Sequence, residues 1–318
     1  MRKAVVDVGS NSVLLVVEER REGVWRPVFE SSEVTGLGEG TRDSGMLGEE
    51  PMARTLAALR RAWVRASAKG VAHPQAGATM AVRIARNRAE FLRRAEAQGT
   101  PFLVLTGEEE AQLGFLSVAL DPCFAQATRL SIVDVGGHST ELVTAEARGG
   151  VWTTKLRRSL PIGTLGLVGG GLCDDVPGPA LILRACQEID DAIGSVYMPG
   201  EAGEVVTLGA TGTNLASIRE GLSKWEPARI HGTKLALDEI SAAAGRLFGL
   251  TIAERALLKG IEHGRERTLL AGALILERAL IAMGVEGCKV SVRGWRHALL
   301  ELGLGAVRKE SSAAWEKA

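Results

Sequence analysis

Two rhythms of apolar and polar residues alternate along this chain. An apolar run interrupted by one acid, Ala4-Val-Val-Asp-Val8, stops at Gly9-Ser-Asn-Ser12, and a second apolar run follows. That layout predicts a β-hairpin over residues 4–19. Strand-like material continues around Val24–Glu33 and gives way to a Gly-rich stretch, Thr35–Gly40. Residues 50–69 switch to helical spacing at Leu56, Leu59 and Trp63. A strand is expected near 76–81, an Arg-rich helix near 87–98, a buried strand over 101–105 and a further helix after Thr106. A second hairpin opens with Leu130–Val135, and β-rich sequence spans Val151–Leu160. A Gly/Pro-rich loop covers 169–179, a helix follows at 180–197, and a strand at 204–208 enters a Gly-rich turn that opens a helix at Leu215. Two helices fill 236–262. An apolar helix over 268–283 ends at Gly284, where a left-handed cap is expected. A strand at 288–292 and a helix near 295–302 complete the pattern. Strands alternating with helices, with a hairpin opening each half, predict an α/β architecture with mixed sheets.

The two hairpins are copies. Val6–Glu19 aligns with Val133–Glu146, 127 positions later, and eight of the fourteen residues are identical. Each has a carboxylate beside a turn of glycine and hydroxyl residues. Turn N–H groups converge well on phosphate oxygens, and glycine lets the backbone come close. The carboxylate would repel a phosphate unless a hard cation lay between them, which points to magnesium.

Composition narrows the reading only slightly. A length of 318 residues suits two domains, and 46% hydrophobic with 24% charged residues excludes a disordered chain. Zero net charge gives no global attraction to nucleic acid or membrane. The local candidate for anions is Arg83, Arg86, Arg88, Arg93 and Arg94, opposed nearby by Glu90 and Glu96. Four cysteines form no CxxC pair, and no HExxH pattern occurs, so a reducing cytoplasmic location is expected. Glu277 and Arg278 at the middle of the apolar helix argue against a membrane span.

A series of motifs runs in order: Asp7-Val-Gly-Ser-Asn-Ser12; Ala78-Thr-Met-Ala-Val-Arg83 with Asn87; Gly107-Glu-Glu-Glu-Ala111; Asp134-Val-Gly-Gly-His-Ser-Thr-Glu141; Ser159-Leu-Pro-Ile-Gly163; Gly209-Ala-Thr-Gly-Thr213; His231-Gly232; and Ala271–Leu276. Through them the chain, from residue 4 to about 303, resembles the exopolyphosphatase / guanosine pentaphosphate phosphohydrolase family of the actin-like superfamily. The resemblance implies two actin-like (ribonuclease H-like) domains, over 1–125 and 126–303, with an active-site cleft between them and a tail at 304–318. It implies metal-dependent removal of the terminal phosphate from inorganic polyphosphate and/or guanosine penta- or tetraphosphate. The alternative is a divergent relative that binds such a ligand as a regulator. The family often forms dimers, and no nucleic-acid or membrane partner is implied.

By the same resemblance Glu110 is the carboxylate that activates water. Asp7 and Asp134 fit a Mg²⁺ role, and Glu141 could complete the acidic set. Ser10, Asn11, Ser12, Gly136, Gly137, Ser139, Gly212 and Thr213 would supply phosphate contacts, and Arg83 could fork two phosphate oxygens or form an ion pair. Thr106–Glu109 reads as a helix capping box, which makes Glu108 and Glu109 structural. Four positions depart from the family pattern. His138 replaces a glycine, where its side chain would crowd the phosphate, be strained if that position needs positive φ, or instead donate a hydrogen bond to the phosphate as imidazolium. Gly166 replaces an arginine, Arg267 an acid, and Val292 a polar residue.

Overall fold

The computed structural model describes residues 1–172, 176–194 and 201–303. The chain divides into two compact units, one of Met1–Ser117 with the described residues from Trp295, the other of Val118–Gly294.

The first unit holds β1 (Arg2–Val8), β2 (Ser12–Arg21), β3 (Val24–Val34), β4 (Gln75–Ala78) and β5 (Leu103–Val104), in sheet order β3-β2-β1-β4-β5. The first three strands are antiparallel, and β4 and β5 add on in parallel. β1 is almost continuously apolar because both of its faces are buried. Ala4, Val6 and Val8 join Leu56 and Leu59 of the helix Glu49–Ala68 in one core. Val5 joins Trp295, Leu299 and Leu300 of the helix Trp295–Leu302 in another. Asp7 shares the period-two face of Val5.

The sequence reading put that last helix in the second domain. Its apolar face instead covers β1 and β2 of the first unit, because Trp295 fits where Gly77 leaves room. A Cβ on Gly77 would stand 2.9 Å from the indole ring. Lys3 Nζ also donates to the carbonyl of Leu300 at 2.9 Å. The expected tail at 304–318 lies outside the described residues.

The second unit repeats the plan. Its strands are β6 (Arg129–Val135), β7 (Thr140–Arg148), β8 (Val151–Leu160), β9 (Glu204–Leu208), β10 (Lys234–Ala236) and β11 (Gly287–Val290), in order β10-β11-β9-β6-β7-β8. Three antiparallel strands are again followed by a parallel neighbour of the first, and β11 stands where β5 does. These two mixed sheets with flanking helices are the α/β, actin-like arrangement expected. The helix Leu269–Met283 lies in the core, which explains its lack of a polar face. Its two central charges are satisfied locally. Glu277 accepts from Ser241, and Arg278 grips Asp190 through two bonds of 2.6 Å.

Several elements differ from expectation. The strand over 101–105 is ordered as a ladder only at Leu103–Val104. The expected helix 180–197 is Pro179–Ile193, and residues 195–200 lie outside the described residues. The helix expected from Leu215 starts at Gly209, so the third Gly-rich turn is its first helical turn. Among the described residues no helix is long and apolar enough to cross a membrane.

Candidate functional site

Each unit builds its own cluster around the end of its first strand. In the first, β1 and β2 are joined by a tight turn closed by Gly9 N–H donating to Ser12 O at 2.9 Å. Ser10, Asn11 and Ser12 are all buried, as is Asp7 near the end of β1. The Gly-rich stretch after β3 is stitched onto this turn: Thr35 and Gly36 N–H donate to Asn11 O at 2.8 and 3.0 Å, and Gly38 N–H to Ser10 O at 2.7 Å. Ser10 Oγ accepts from Ala81 N–H at 3.2 Å. The tip is therefore held on two sides. Asn11 Nδ2, buried within it, has no hydrogen-bond partner. A buried amide donor left unpaired is costly, and a bound anion would satisfy it.

Glu110 belongs to the same unit. It lies one residue past a capping box in which Thr106 N–H donates to Glu109 Oε2 at 2.8 Å and Glu109 N–H to Thr106 Oγ1 at 3.1 Å. Glu109 is thus structural, and Glu110 is the buried acid of the first turn. Arg83 Nη1 donates to Glu110 Oε2 at 3.1 Å and to Leu105 O at 2.8 Å. Of the other arginines, Arg94 pairs with Glu49, whereas Arg86 and Arg88 donate to the carbonyls of Ser44 and Arg83.

The second unit reproduces the tip. Gly136 N–H donates to Ser139 O at 2.9 Å, the same bond and length as in the first copy. His138, Ser139 and Glu141 are buried. Asp134 and Glu141 are directly opposed across the β6–β7 ladder, and Glu141 Oε1 accepts from Ser159 Oγ at 2.7 Å. The turn after β8 clasps the tip: Thr164 N–H donates to Gly136 O at 3.0 Å and Leu165 N–H to Gly137 O at 2.8 Å. Gly166 lies in this short helical turn. His138 does not have positive φ, since Glu22 is the one non-glycine with it among the described residues. The strain conditionally expected there is not present.

The third turn is assembled against the second tip. Gly209 has φ 77°, and a Cβ there would stand 2.9 Å from Asp134 Oδ1. Only glycine meets both demands. The helix it opens has no side-chain N-cap, so its first N–H groups carry the partial positive charge that favours an anion. Gly212 is buried against the Thr207 side chain, and Thr213 Oγ1 donates back to Gly209 O and Ala210 O at 3.3 Å each. Asn214 anchors the helix by accepting from Glu262 N–H at 2.7 Å.

Thus Asp7, Ser10, Asn11, Ser12, Arg83 and Glu110 belong to the first unit, and Asp134, Gly136, Gly137, Ser139, Glu141, Gly212 and Thr213 to the second. The supports that sequence reading missed are the backbone of Thr35–Gly38, the Ser159 hydroxyl and the carbonyl of Leu105. The Gly-rich composition of 36–40 was the available signal for the first. No group of three or more His, Cys, Asp or Glu side chains able to hold a metal occurs among the described residues. Within the second unit the opposed Asp134 and Glu141 supply two carboxylates, a donor set of the kind Mg²⁺ commonly uses when phosphate and water complete its shell.

Known proteins resemble this chain along most of its length. The model of the Ppx/GppA phosphatase family matches residues 16–303. An uncharacterized protein of Streptomyces coelicolor is 32% identical over 293 residues, covering 90% of this chain and 85% of that one. Exopolyphosphatase 1 of Mycobacterium tuberculosis is 29% identical over 308 residues, covering 94% and 87%. The crystal structure of the Aquifex aeolicus member of the family matches with a TM-score of 0.77 at 27% identity, covering 98% of both chains. With the duplicated tips and the buried acid of the Gly107–Ala119 helix on the same chain, the protein belongs to the Ppx/GppA phosphatase family.

Proposed function

We propose that this protein is a divalent-cation-dependent phosphohydrolase that releases the terminal phosphate of inorganic polyphosphate or of guanosine penta- or tetraphosphate. The observation that carries the reading is Glu110, a buried carboxylate fixed by Arg83 in the same unit as an anion-type turn with an unpaired Asn11 amide donor. Hydrolysis of a phosphoanhydride needs an oriented water, a group to accept its proton, and neutralisation of charge on the phosphoryl oxygens.

Glu110 orients the water and takes its proton. Ser10, Asn11 and Ser12 bind phosphate oxygens through hydroxyl, amide and backbone donors, and Gly136, Gly137 and Ser139 do so in the second unit. The first turn of the helix at Gly209, with Gly212 and Thr213, adds its dipole. Asp7 in the first unit, and Asp134 and Glu141 in the second, are the carboxylates that would bind Mg²⁺, which would supply charge neutralisation on the phosphoryl group. Dimers and a cytoplasmic setting are part of the same proposal.

The test is orthophosphate release by the purified chain from polyphosphates of several lengths and from both guanosine substrates, with Mg²⁺ and with EDTA. Release with Mg²⁺ and its loss with EDTA are expected. No release from any of them would refute the reading.

A further inference from the structure

Arg83 is expected from the sequence as a phosphate ligand, yet its guanidinium is already engaged within its own unit. The residue sits on the short helical segment Met80–Ile84 that follows β4. Nη1 carries two hydrogens, and both have acceptors: Leu105 O at 2.8 Å and Glu110 Oε2 at 3.1 Å. Nη2 lies 3.2 Å from Met80 Sδ. The two segments are tied a second time, because Leu105 N–H donates to Ala78 O at 2.9 Å. The guanidinium therefore braces β4 and its helical extension against the start of the Gly107–Ala119 helix. It cannot turn away without breaking its bonds to the Leu105 carbonyl and to the carboxylate together. The pair is shielded, with the two side chains 20% and 10% exposed.

We propose that Arg83 is a positioning residue that holds the Glu110 carboxylate by one charge-assisted bond, so that the carboxylate meets the attacking water in a single orientation. This rests on the reading of Glu110 as the water-orienting group. The physical reason is specific to the reaction. Phosphoryl transfer passes through a loose transition state, in which placing the water counts for more than the strength of the base. A glutamate side chain has three rotatable bonds, and a bond to a braced guanidinium narrows the orientations it samples. A cation at 3.1 Å makes the carboxylate better aimed.

The experiment is a double-mutant cycle on phosphate release with Mg²⁺, using Arg83→Gln, Glu110→Gln and the double variant, with Arg83→Lys as the conservative change. Arg83→Gln should lower kcat on the order of 10²-fold, the loss expected for a displacement of about 1 Å. Its KM should change less than about threefold, because uniform substrate binding is untouched. Arg83→Lys should recover part of kcat. Adding Arg83→Gln to Glu110→Gln should cost less than about threefold more, because the two residues act as a unit. A purely phosphate-binding arginine gives the opposite pattern: a raised KM and losses that multiply in the double variant.

A second measurement does not depend on turnover. The side-chain carboxyl ¹³C titration of Glu110 should move to higher pH in Arg83→Gln than in the parent. A parent that released no phosphate would overturn the proposed function. A parent that did release it, with multiplied losses or an unmoved Glu110 titration, would overturn the Arg83 inference alone.

Discussion

Gly163→Ala tests the second tip without substituting any residue assigned to chemistry. Gly163 has extended backbone, φ −158°, so alanine brings no torsional penalty. Its Cβ, however, would stand 2.5 Å from Gly137 C, 2.5 Å from His138 N and 2.6 Å from Gly137 O. Carbon contacts are comfortable at about 3.5 Å, so one segment must move by about 1 Å. All three obstacles are backbone, and no flexible side chain can yield. The Gly163 segment is itself tied to the tip through the Thr164 and Leu165 N–H groups. Overpacking of this kind costs about 1–3 kcal/mol. Displacing Gly137–His138 by about 1 Å should lower kcat about 10²-fold. Gly169→Ala is the control, since nothing lies within 4 Å of its Cβ position and its φ is not positive. Urea unfolding and phosphate release on both variants decide the matter. Full stability and activity in Gly163→Ala would refute the close packing of the clasp on the tip.

Other predictions follow from the same contacts. Trp295→Ala removes the side chain packed on Gly77 and should destabilise by about 3–5 kcal/mol, read as a lower urea midpoint; a shift below 1 kcal/mol would contradict the docking of the last helix on β1. Asp121 is buried, which alone would raise its pKa, but His231 Nε2 at 3.2 Å, the Cys123 N–H and Arg293 hold the carboxyl below its usual range. A folded value depressed below the unfolded one, about 3.9, contributes stability above that pH and loses it as pH falls through the folded value. Asp121→Asn should flatten that acid loss, and an unchanged pH dependence of unfolding would count against the assignment. Burial pushes the Cys288 thiol up to about 12, so a brief alkylation pulse at pH 8 should spare Cys288 until the protein unfolds while marking exposed Cys123. Labelling of both in the native state would contradict the packing around β11.

The duplicated hairpins were legible because their signal is local. A period-two apolar pattern and a Gly/Ser turn fix strands, register and tip together. Glu109 was likewise readable as a cap, since a capping box is a three-residue relation. What the chain did not announce depends on distant partners. Gly209–Asn214 reads as a turn by composition, but burial of Thr211 and Gly212 against Thr207 and Gly272 makes it a helical turn. The three residues of β10 carry no pattern of their own and become a strand only beside β11. The last helix shows its apolar face in sequence but not which sheet it covers. The bond from Arg83 to Glu110 spans 27 residues and is visible only once β4 and β5 lie side by side. The Asn11 donor could be named in sequence, but its lack of a partner could not.

The most direct measurement compares the parent with Glu110→Gln, following Mg²⁺-dependent phosphate release from polyphosphate alongside binding of the same polyphosphate. The account predicts a kcat lowered about 10²- to 10⁴-fold with binding kept within a few-fold, as expected for a lost proton acceptor. Equal turnover by the two proteins would contradict it.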